Sequence, residues 1–225
     1  SVYTFPHRTF QEYLAACYLT DHDFPEKIAE LACQDFNRWR EVALLAGAKA
    51  ARGTASAVWS LVDALCYADL PLPAPEEALW GVHLAGLALV ESGSLNIPSE
   101  RNRPKLERVR QGLEQVLGSF LPPPERASAG RSLAKLGDPR PEVLTCAAMQ
   151  FCYIPAGVFK MGSDKQQDPQ AFDDETPQHE LELPGFWIGR TPVTQAQYAE
   201  FVQAEGYLQG KYWPEARAAK YWSKG

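Results

Sequence analysis

The apolar residues of the first half of the chain recur at spacings of three and four. From position 9 to 19 they are Phe10, Tyr13, Leu14, Cys17 and Tyr18, which form one face of an amphipathic helix. The same periodicity predicts helices over 25–33, 38–51, 56–67, 76–91 and 103–117, with short polar or Pro-rich connections. The first of these is expected to follow a capping box that starts at Asp23, with Pro25 in its first turn. We interpret the helical pattern as a succession of antiparallel helix pairs like that of helical repeat arrays, although no clean repeat period is present.

Proline and glycine mark a connector after the helical region. Leu121 is followed by three prolines, which end one helix, and a further helix is predicted over 125–136 with its stop at Gly137. The segment 138–141 holds two prolines and therefore predicts a turn. We place the domain boundary between residues 138 and 150.

The periodicity changes from helical to strand-like after the connector. Phe151–Ile154 and Val158–Met161 are short apolar runs separated by Pro-Ala-Gly, and a polar acidic loop covers 162–178. His179–Leu183 alternates with period two, which predicts a half-buried strand, and Phe186–Ile188 predicts another. The pattern as a whole predicts an α+β chain with an all-helical first part.

One helix start is especially clear. Thr194 and Gln197 have the spacing of a capping box, and Val193 and Tyr198 have the spacing of a hydrophobic staple around it. The helix is predicted to end at Gly206.

Composition and charge exclude several classes of protein. The net charge of −6 argues against a general nucleic-acid binder, and no run of eighteen apolar residues predicts a membrane span. The five cysteines are scattered, which favours buried reduced thiols and a cytoplasmic location. Cys146 and Cys152 are close enough to leave a redox or metal pair open.

The residues from Ile154 to Tyr207 carry a family resemblance. Ile-Pro-Ala-Gly-Val-Phe-Lys-Met-Gly-Ser (154–163), Asp-Glu-Thr-Pro-Gln-His (174–179) and Phe-Trp-Ile-Gly-Arg-Thr-Pro-Val-Thr (186–194) follow in order, ahead of Tyr198, Phe201-Val202 and Gly206-Tyr207. The series resembles the opening of the formylglycine-generating enzyme, or sulfatase-modifying-factor, family. The resemblance implies a C-type-lectin-like fold, and an enzyme that uses oxygen and copper to convert a sulfatase cysteine to formylglycine. It also implies relatives that use iron in ergothioneine-type synthesis, and others that bind ligands without catalysis.

A second resemblance covers parts of the helical region. Residues 3–16 resemble the helix that closes the ATPase region of NACHT-type (STAND) signalling proteins. Residues 39–47 resemble the helical segment that follows it, and residues 133–140 the junction ahead of the C-terminal domain. This implies ATP in an upstream ATPase, and self-association of the parent protein.

The chain holds little catalytic chemistry of its own. The resemblance places the copper-binding cysteine pair and most calcium ligands later in the family's domain, so we assign no catalytic and no cofactor-binding residue. Motifs for phosphate binding, zinc proteases and serine hydrolases are absent from the sequence. Asp173, Asp174 and Glu175 are candidate cation ligands, with a solvated acidic loop fixed by His179 as the alternative.

Other candidates for binding are aromatic or histidine residues. His7 beside Arg8 fits either a nucleotide sensor or a packing residue, whereas His83 fits a hydrogen-bonded core residue. A last group lines a ligand groove or forms core for the rest of the domain; it comprises Tyr207, Tyr212, Trp213, Tyr221 and Trp222.

Three functional hypotheses follow. The first is a bacterial NACHT-like signalling protein whose C-terminal domain recognises a protein or small-molecule ligand. The second is a formylglycine-generating-type oxidoreductase acting on a protein cysteine or thiol, and the third is a retroelement-diversified binding protein with a lectin fold.

The expected organisation is that of a piece cut from a larger protein at both ends. Residues 1–120 are the helical region, 121–149 the connector, and 150–225 the first part of the sulfatase-modifying-factor domain. We expect this last part not to fold alone, because its edges and aromatic residues await partners.

Overall fold

The computed structural model describes residue 5 and residues 7–54, 56–93 and 98–221. The chain divides into two compact units, residues 1–139 and 140–225. The first unit is helical, and the second carries four short strands with short helices, so the predicted α+β class is confirmed. Among the described residues no helix is long and apolar enough to cross a membrane.

The first unit contains seven helices within the described residues, and the periodicity predicts all seven. Their ends differ from the predicted ends by a few residues at most. The helices are α1 (Arg8–His22), α2 (Glu26–Gln34), α3 (Phe36–Gly53), α4 (Ser56–Leu65), α5 (Glu76–Glu91), α6 (Arg103–Gly118) and α7 (Pro123–Leu136).

Helix α5 lies at the centre of this unit. It packs against α2, α3, α4, α6 and α7, and ten of its sixteen residues are buried. A helix that is apolar around its whole circumference has to be buried on all sides. Gly112 of α6 allows the close approach of α5, because a Cβ atom there would lie 2.6 Å from Cγ1 of Val82.

A buried histidine joins three of the helices. His83 of α5 is fully buried, and its Nε2 lies 2.9 Å from Oε2 of Glu125 in the first turn of α7. The Arg40 guanidinium of α3 lies 3.8 Å from the same oxygen, and the ring of Phe36 stacks on the imidazole. His83 is therefore the hydrogen-bonded core residue that its apolar helix predicts.

Helix α1 presents its apolar face to solvent. Its buried residues are Glu12, Ala16 and Leu19, which lie on the side that packs against α3. The opposite side carries the residues that the sequence pattern marks as the apolar face. We call this set the α1 stripe; it consists of Phe10, Tyr13, Leu14, Cys17 and Tyr18, of which all but Cys17 are 51–60% exposed.

Local signals in the connections are partly wrong. The capping box expected at Asp23 does not form, because Pro25 occupies the N-cap of α2 and no side chain caps the helix. Helix α7 begins at Pro123, since proline is tolerated in a first turn, and it ends as predicted at Gly137, whose φ is +93°. The predicted turn at 138–141 is followed by the short helix α8 (Pro141–Leu144), which the sequence analysis missed.

The second unit contains two separate antiparallel ribbons. Strand β1 (Phe151–Ile154) pairs with β4 (Phe186–Gly189), and β2 (Gly157–Met161) pairs with β3 (His179–Leu183). All four strands lie where the sequence predicts them. After β4 come α9 (Gln195–Gln203) and α10 (Pro214–Ala218), with short 3₁₀ turns between them.

The faces of the two ribbons differ in polarity. In the β2–β3 ribbon, Phe159 lies opposite Leu181 on one face, whereas Lys160 lies opposite Glu180 on the other. In the β1–β4 ribbon both faces are apolar, with Tyr153 opposite Trp187 on one and Ile154 opposite Phe186 on the other. An ordinary two-faced ribbon has one polar side, so the β1–β4 ribbon has the composition of an interior layer.

The apolar side chains of both ribbons are largely exposed. Trp187 is 65% exposed and Phe186 39%, and every residue of β1 is exposed. The strand His179–Leu183 is the exception and shows the predicted half-burial, since Leu181 and Leu183 are partly buried whereas His179, Glu180 and Glu182 are exposed.

We predict that His83 makes the helical unit less stable at acidic pH. Burial lowers the pKa of the imidazole, against the opposing effect of Glu125, with smaller contributions from Arg40 and Arg131 that also lower it. The unfolded chain therefore binds a proton first, and stability falls as the pH drops through the ordinary histidine value of about 6.5. Because one proton is taken up, the free energy of unfolding can change by at most about 1.4 kcal/mol per pH unit.

The measurement is urea unfolding between pH 8 and 5, followed by circular dichroism. The His83→Gln variant keeps a neutral donor for Glu125 and should lose this part of the pH dependence. Identical slopes for the two proteins would contradict the prediction.

We predict that Gly112→Ala destabilises the helical unit by about 1–3 kcal/mol, because the new methyl group collides with Val82 in the α5–α6 contact. The matched control is Gly118→Ala in the same helix, where an added Cβ meets no atom within 4 Å. That variant should be neutral or gain up to about 1 kcal/mol from helix propensity. The free energies of unfolding of both variants are measured by urea unfolding. Equal changes in the two would show that the close approach of α5 and α6 at Gly112 does not affect stability.

Candidate functional site

The start of α9 is a hydrogen-bonded polar site of the second unit. The Thr194 hydroxyl accepts from the Gln197 backbone N–H at 3.2 Å, and the Gln197 side-chain oxygen accepts from the Thr194 N–H at 3.0 Å. These two hydrogen bonds are the predicted capping box, which is confirmed.

The Gln197 amide also holds α8 in place. Gln197 is fully buried, and its Nε2 donates to the carbonyl of Glu142 at 2.9 Å and to that of Thr145 at 3.4 Å. The Thr194 hydroxyl donates to the carbonyl of Val143 at 2.7 Å. One buried amide thus satisfies both the first turn of α9 and the open carbonyls of the α8 segment.

A cysteine and a carboxylate continue this polar contact. The backbone N–H of Cys146 donates to Glu200 of α9 at 2.9 Å, and the Cys146 thiol donates to the Gln197 carbonyl at 3.3 Å. The Glu200 carboxylate beside the thiol raises the pKa of Cys146 above its usual value, with a smaller effect of desolvation. The thiol is therefore a poor nucleophile at neutral pH.

Cys146 and Cys152 do not form a disulfide. Cys152 lies in β1 opposite Ile188, and both cysteines are free and exposed. These positions give no support to the alternative that Cys146 and Cys152 form a redox or metal-binding pair.

The acidic loop is held by its own side chains. Asp173 pairs with Lys165, the Ser163 hydroxyl donates to Glu175 at 3.3 Å, and Nδ1 of His179 lies 3.0 Å from the Pro177 carbonyl. These are the contacts expected of a solvated loop. Asp174, Glu175 and His179 line an open cavity of about 460 Å³.

The described residues contain no group of three or more histidine, cysteine or acidic side chains placed to hold a metal ion. Calcium binding by Asp173, Asp174 and Glu175 stays a prediction, and the residues described do not by themselves provide a site for copper. We therefore assign no metal chemistry to them.

Three of the predicted ligand-facing aromatics pack into one cluster. The rings of Tyr207 and Trp213 stack in parallel at 5.6 Å, and Phe201 contacts both of them and Tyr212. The Trp213 indole donates to the Gly206 carbonyl at 3.3 Å. Tyr221 is 87% exposed and lies outside the cluster, and Trp222 lies outside the described residues.

The histidine near the start of the chain contacts α1 itself. The His7 ring lies 6.2 Å from that of Phe10, whereas Arg8 pairs with Glu12 and donates to the Asn37 carbonyl. Arg8 also lines an open cavity of about 500 Å³ between α1 and α3, together with Asp35 and Arg38. A role for His7 in nucleotide sensing stays a prediction.

The sequence analysis missed the second role of Gln197. A capping box identifies the residue at the third helical position, but it does not show that the rest of the amide is buried against another helix. The available signal was Pro141, which suits a helix start, in a stretch for which no element was predicted.

We predict that Gln197→Ala destabilises the α8–α9 contact by about 1–3 kcal/mol. The change removes one cap hydrogen bond and leaves the carbonyls of Glu142 and Thr145 without their donor. Hydrogen exchange of the α9 amides measures the loss as faster exchange, about tenfold for each 1.4 kcal/mol. The control is Gln203→Ala, at the exposed end of the same helix, which should leave the exchange unchanged.

The comparisons with known proteins agree on the second half of the chain. Residues 137–224 match the family model of the sulfatase-modifying factor enzyme 1-like domain. This confirms the resemblance carried by Ile154 to Tyr207. No solved structure matches the chain, and the resemblance of the helical region to NACHT-type proteins stays a prediction.

The relatives are enzymes of two named kinds. The hercynine oxygenase of Mycolicibacterium smegmatis is 37% identical over 84 residues, which are 37% of this chain and 20% of the relative. That of Mycolicibacterium thermoresistibile is 41% identical over 105 residues, 46% of this chain and 19% of the relative. The formylglycine-generating enzyme of Mus musculus is 40% identical over 70 residues, 31% of this chain and 17% of the relative. The chain thus spans about a fifth of the length of these relatives, and residues 137–224 resemble one part of a sulfatase-modifying-factor domain.

Proposed function

We propose that residues 140–221 form the opening part of an oxidoreductase domain that uses molecular oxygen. The observation that carries the proposal is the match of residues 137–224 to the sulfatase-modifying factor enzyme 1-like domain, with relatives named as oxygenases and formylglycine-generating enzymes. These names favour an enzyme over the recognition module that we also considered.

The geometry of the second unit supports a scaffolding role within such a domain. The β1–β4 ribbon has the two apolar faces of an interior layer, and the β2–β3 ribbon has one apolar face and one charged face. Gln197 fixes the α8 segment against α9 through buried hydrogen bonds. A site assembled on such a base would be held rigidly, as catalysis by oriented groups requires.

The chemistry itself is not assigned to residues of this chain. The Cys146 thiol has a raised pKa and is hydrogen-bonded to a carbonyl, which suits a structural role. A metal that activates oxygen would need ligands from other parts of the complete protein. Copper and iron are the candidates that the family resemblance implies.

We infer the class of substrate from the names of the relatives. Two of the relatives with the longest matches are hercynine oxygenases, so we favour a small-molecule substrate over a protein cysteine. NACHT-type signalling remains a separate proposal for the helical unit; it rests on the resemblance of residues 3–16 and is independent of the oxidoreductase.

We predict oxygen consumption by the complete protein that carries this segment. The purified protein is loaded separately with iron(II) or copper(I) and supplied with hercynine plus a thiol, or with a peptide that contains a sulfatase-type cysteine. Oxygen uptake is followed by electrode and the products by mass spectrometry. The expected result is uptake that needs one metal and one substrate.

The Gln197→Ala variant should lower the rate at least about tenfold, because the scaffold under the site loosens, whereas Gln203→Ala should not. A folded, metal-loaded protein without oxygen uptake on either substrate would overturn the oxidoreductase proposal and favour ligand recognition.

A further inference from the structure

The α1 stripe is an apolar surface on a firmly held helix. The other side of α1 packs against α3, and Lys49 of α3 donates to Asp21 at 2.6 Å and to the Cys17 carbonyl at 3.1 Å. The helix is therefore held in place, and a loose helix is not the reason why the stripe is exposed. Its members are also large, since three of the five carry aromatic rings.

The outer surface at the far end of the helical unit has a different character. The exposed residues of α7 include Arg131 and Lys135, and its leucines, Leu133 and Leu136, are buried. An element that faces water is expected to keep large apolar side chains off its outer side, as α7 does. The α1 stripe departs from this rule, and an exposed patch of this kind marks an interaction site.

We propose that the α1 stripe joins two copies of this chain in an antiparallel α1–α1 contact. A two-fold axis at Leu14 places Phe10 of one copy against Tyr18 of the other, because positions n and 28 − n then face each other. Leu14 meets its own counterpart at the axis. The same surface serves both copies, as an isologous contact requires.

The ends of the helix favour this antiparallel arrangement. With 3.6 residues per turn, Asp21 projects on the side of the stripe near its C-terminal end. His7, the N-cap residue of α1, lies at the other end with its ring 6.2 Å from that of Phe10. The register that pairs Phe10 with Tyr18 also places His7 of one copy against Asp21 of the other. The imidazole is then a partner for the carboxylate that Lys49 already holds, whereas a parallel pair would place Asp21 against Asp21.

The area of the contact indicates a reversible dimer. Four half-exposed side chains of this size bury on the order of 100 Å² each, so both copies together bury about 800–1,000 Å² with the flanking residues. This lies at the lower end of specific interfaces, and aromatic residues such as Phe10 and Tyr18 are those that carry binding energy in such contacts.

The first test is sedimentation velocity of the full chain over a concentration series. We expect a monomer–dimer equilibrium whose Kd rises at least about tenfold in Leu14→Asp, because two carboxylates would meet at the axis. Leu14 is half-exposed, so the variant should keep the helical circular dichroism of the parent. The control is Leu72→Asp, on an 84% exposed loop residue, which should leave the Kd unchanged.

The second test fixes the orientation. In a background with Cys17, Cys146 and Cys152 replaced by serine, Leu14→Cys should cross-link to itself with a short bis-maleimide, and Leu72→Cys should not. A mixture of Phe10→Cys and Tyr18→Cys proteins should give the mixed product in excess.

Three results would overturn the proposal. They are a monomer at all concentrations, a dimer that Leu14→Asp leaves intact, and cross-linking of Phe10→Cys only to itself. A monomer would mean that the stripe has a different partner. A dimer that Leu14→Asp leaves intact would place the contact on another surface, such as the ribbons. Cross-linking of Phe10→Cys only to itself would mean that the two α1 helices are parallel.

Discussion

Helix α5 is surrounded by five other helices, and the removal of its side chains from water is the interaction on which the helical unit depends. Leu79, Val82, Leu84 and Leu89 are all nearly or fully inaccessible, and each such burial contributes about 1.5–3 kcal/mol before the entropy of ordering is subtracted. The polar exception is His83, which is tolerated because its Nε2 pairs with Glu125, whose carboxylate Arg40 also contacts. Burying an imidazole between helices makes their relative positions specific, since a shift of α7 would leave Nε2 of His83 without its partner Glu125.

The second unit is held together on a different principle. Its strands bury little apolar surface, and among its described residues the fully buried side chain is an amide, Gln197. Hydrogen bonds from this one residue to α8, and the paired backbones of two ribbons, define its shape. Hydrogen bonds fix geometry well but contribute only about 1 kcal/mol each, so a unit built in this way needs apolar burial from elsewhere to be stable. The apolar faces of the β1–β4 ribbon are where that burial would occur.

The sequence predicts the elements well, but it predicts their surroundings poorly. A period of three to four, with proline and glycine boundaries, locates the seven helices of the first unit, and short apolar runs and one period of two locate the four strands. The Thr194–Gln197 spacing identifies a cap that forms as expected. The same apolar spacing in α1 does not tell which side meets the protein. The side that packs on α3 holds Glu12, Ala16 and Leu19. A local pattern predicts that one face of an element is apolar, but it does not predict which other element covers that face.

This distinction also bears on function. In the candidate site, the residues with the most reactive appearance in the sequence, Asp173 and Cys146, are engaged by Lys165, Gln197 and Glu200. The residue with the most consequence for the geometry is a neutral glutamine that no catalytic motif would select. A thiol with a raised pKa stays in its protonated, less reactive state at neutral pH. In the oxidoreductase domain that we propose, the contribution of these residues is therefore the positioning of elements, and variants of Gln197 and of Cys146 should separate the two roles. Loss at Gln197 would act through the α8–α9 geometry, whereas Cys146→Ser, which keeps a donor to the Gln197 carbonyl, should be tolerated.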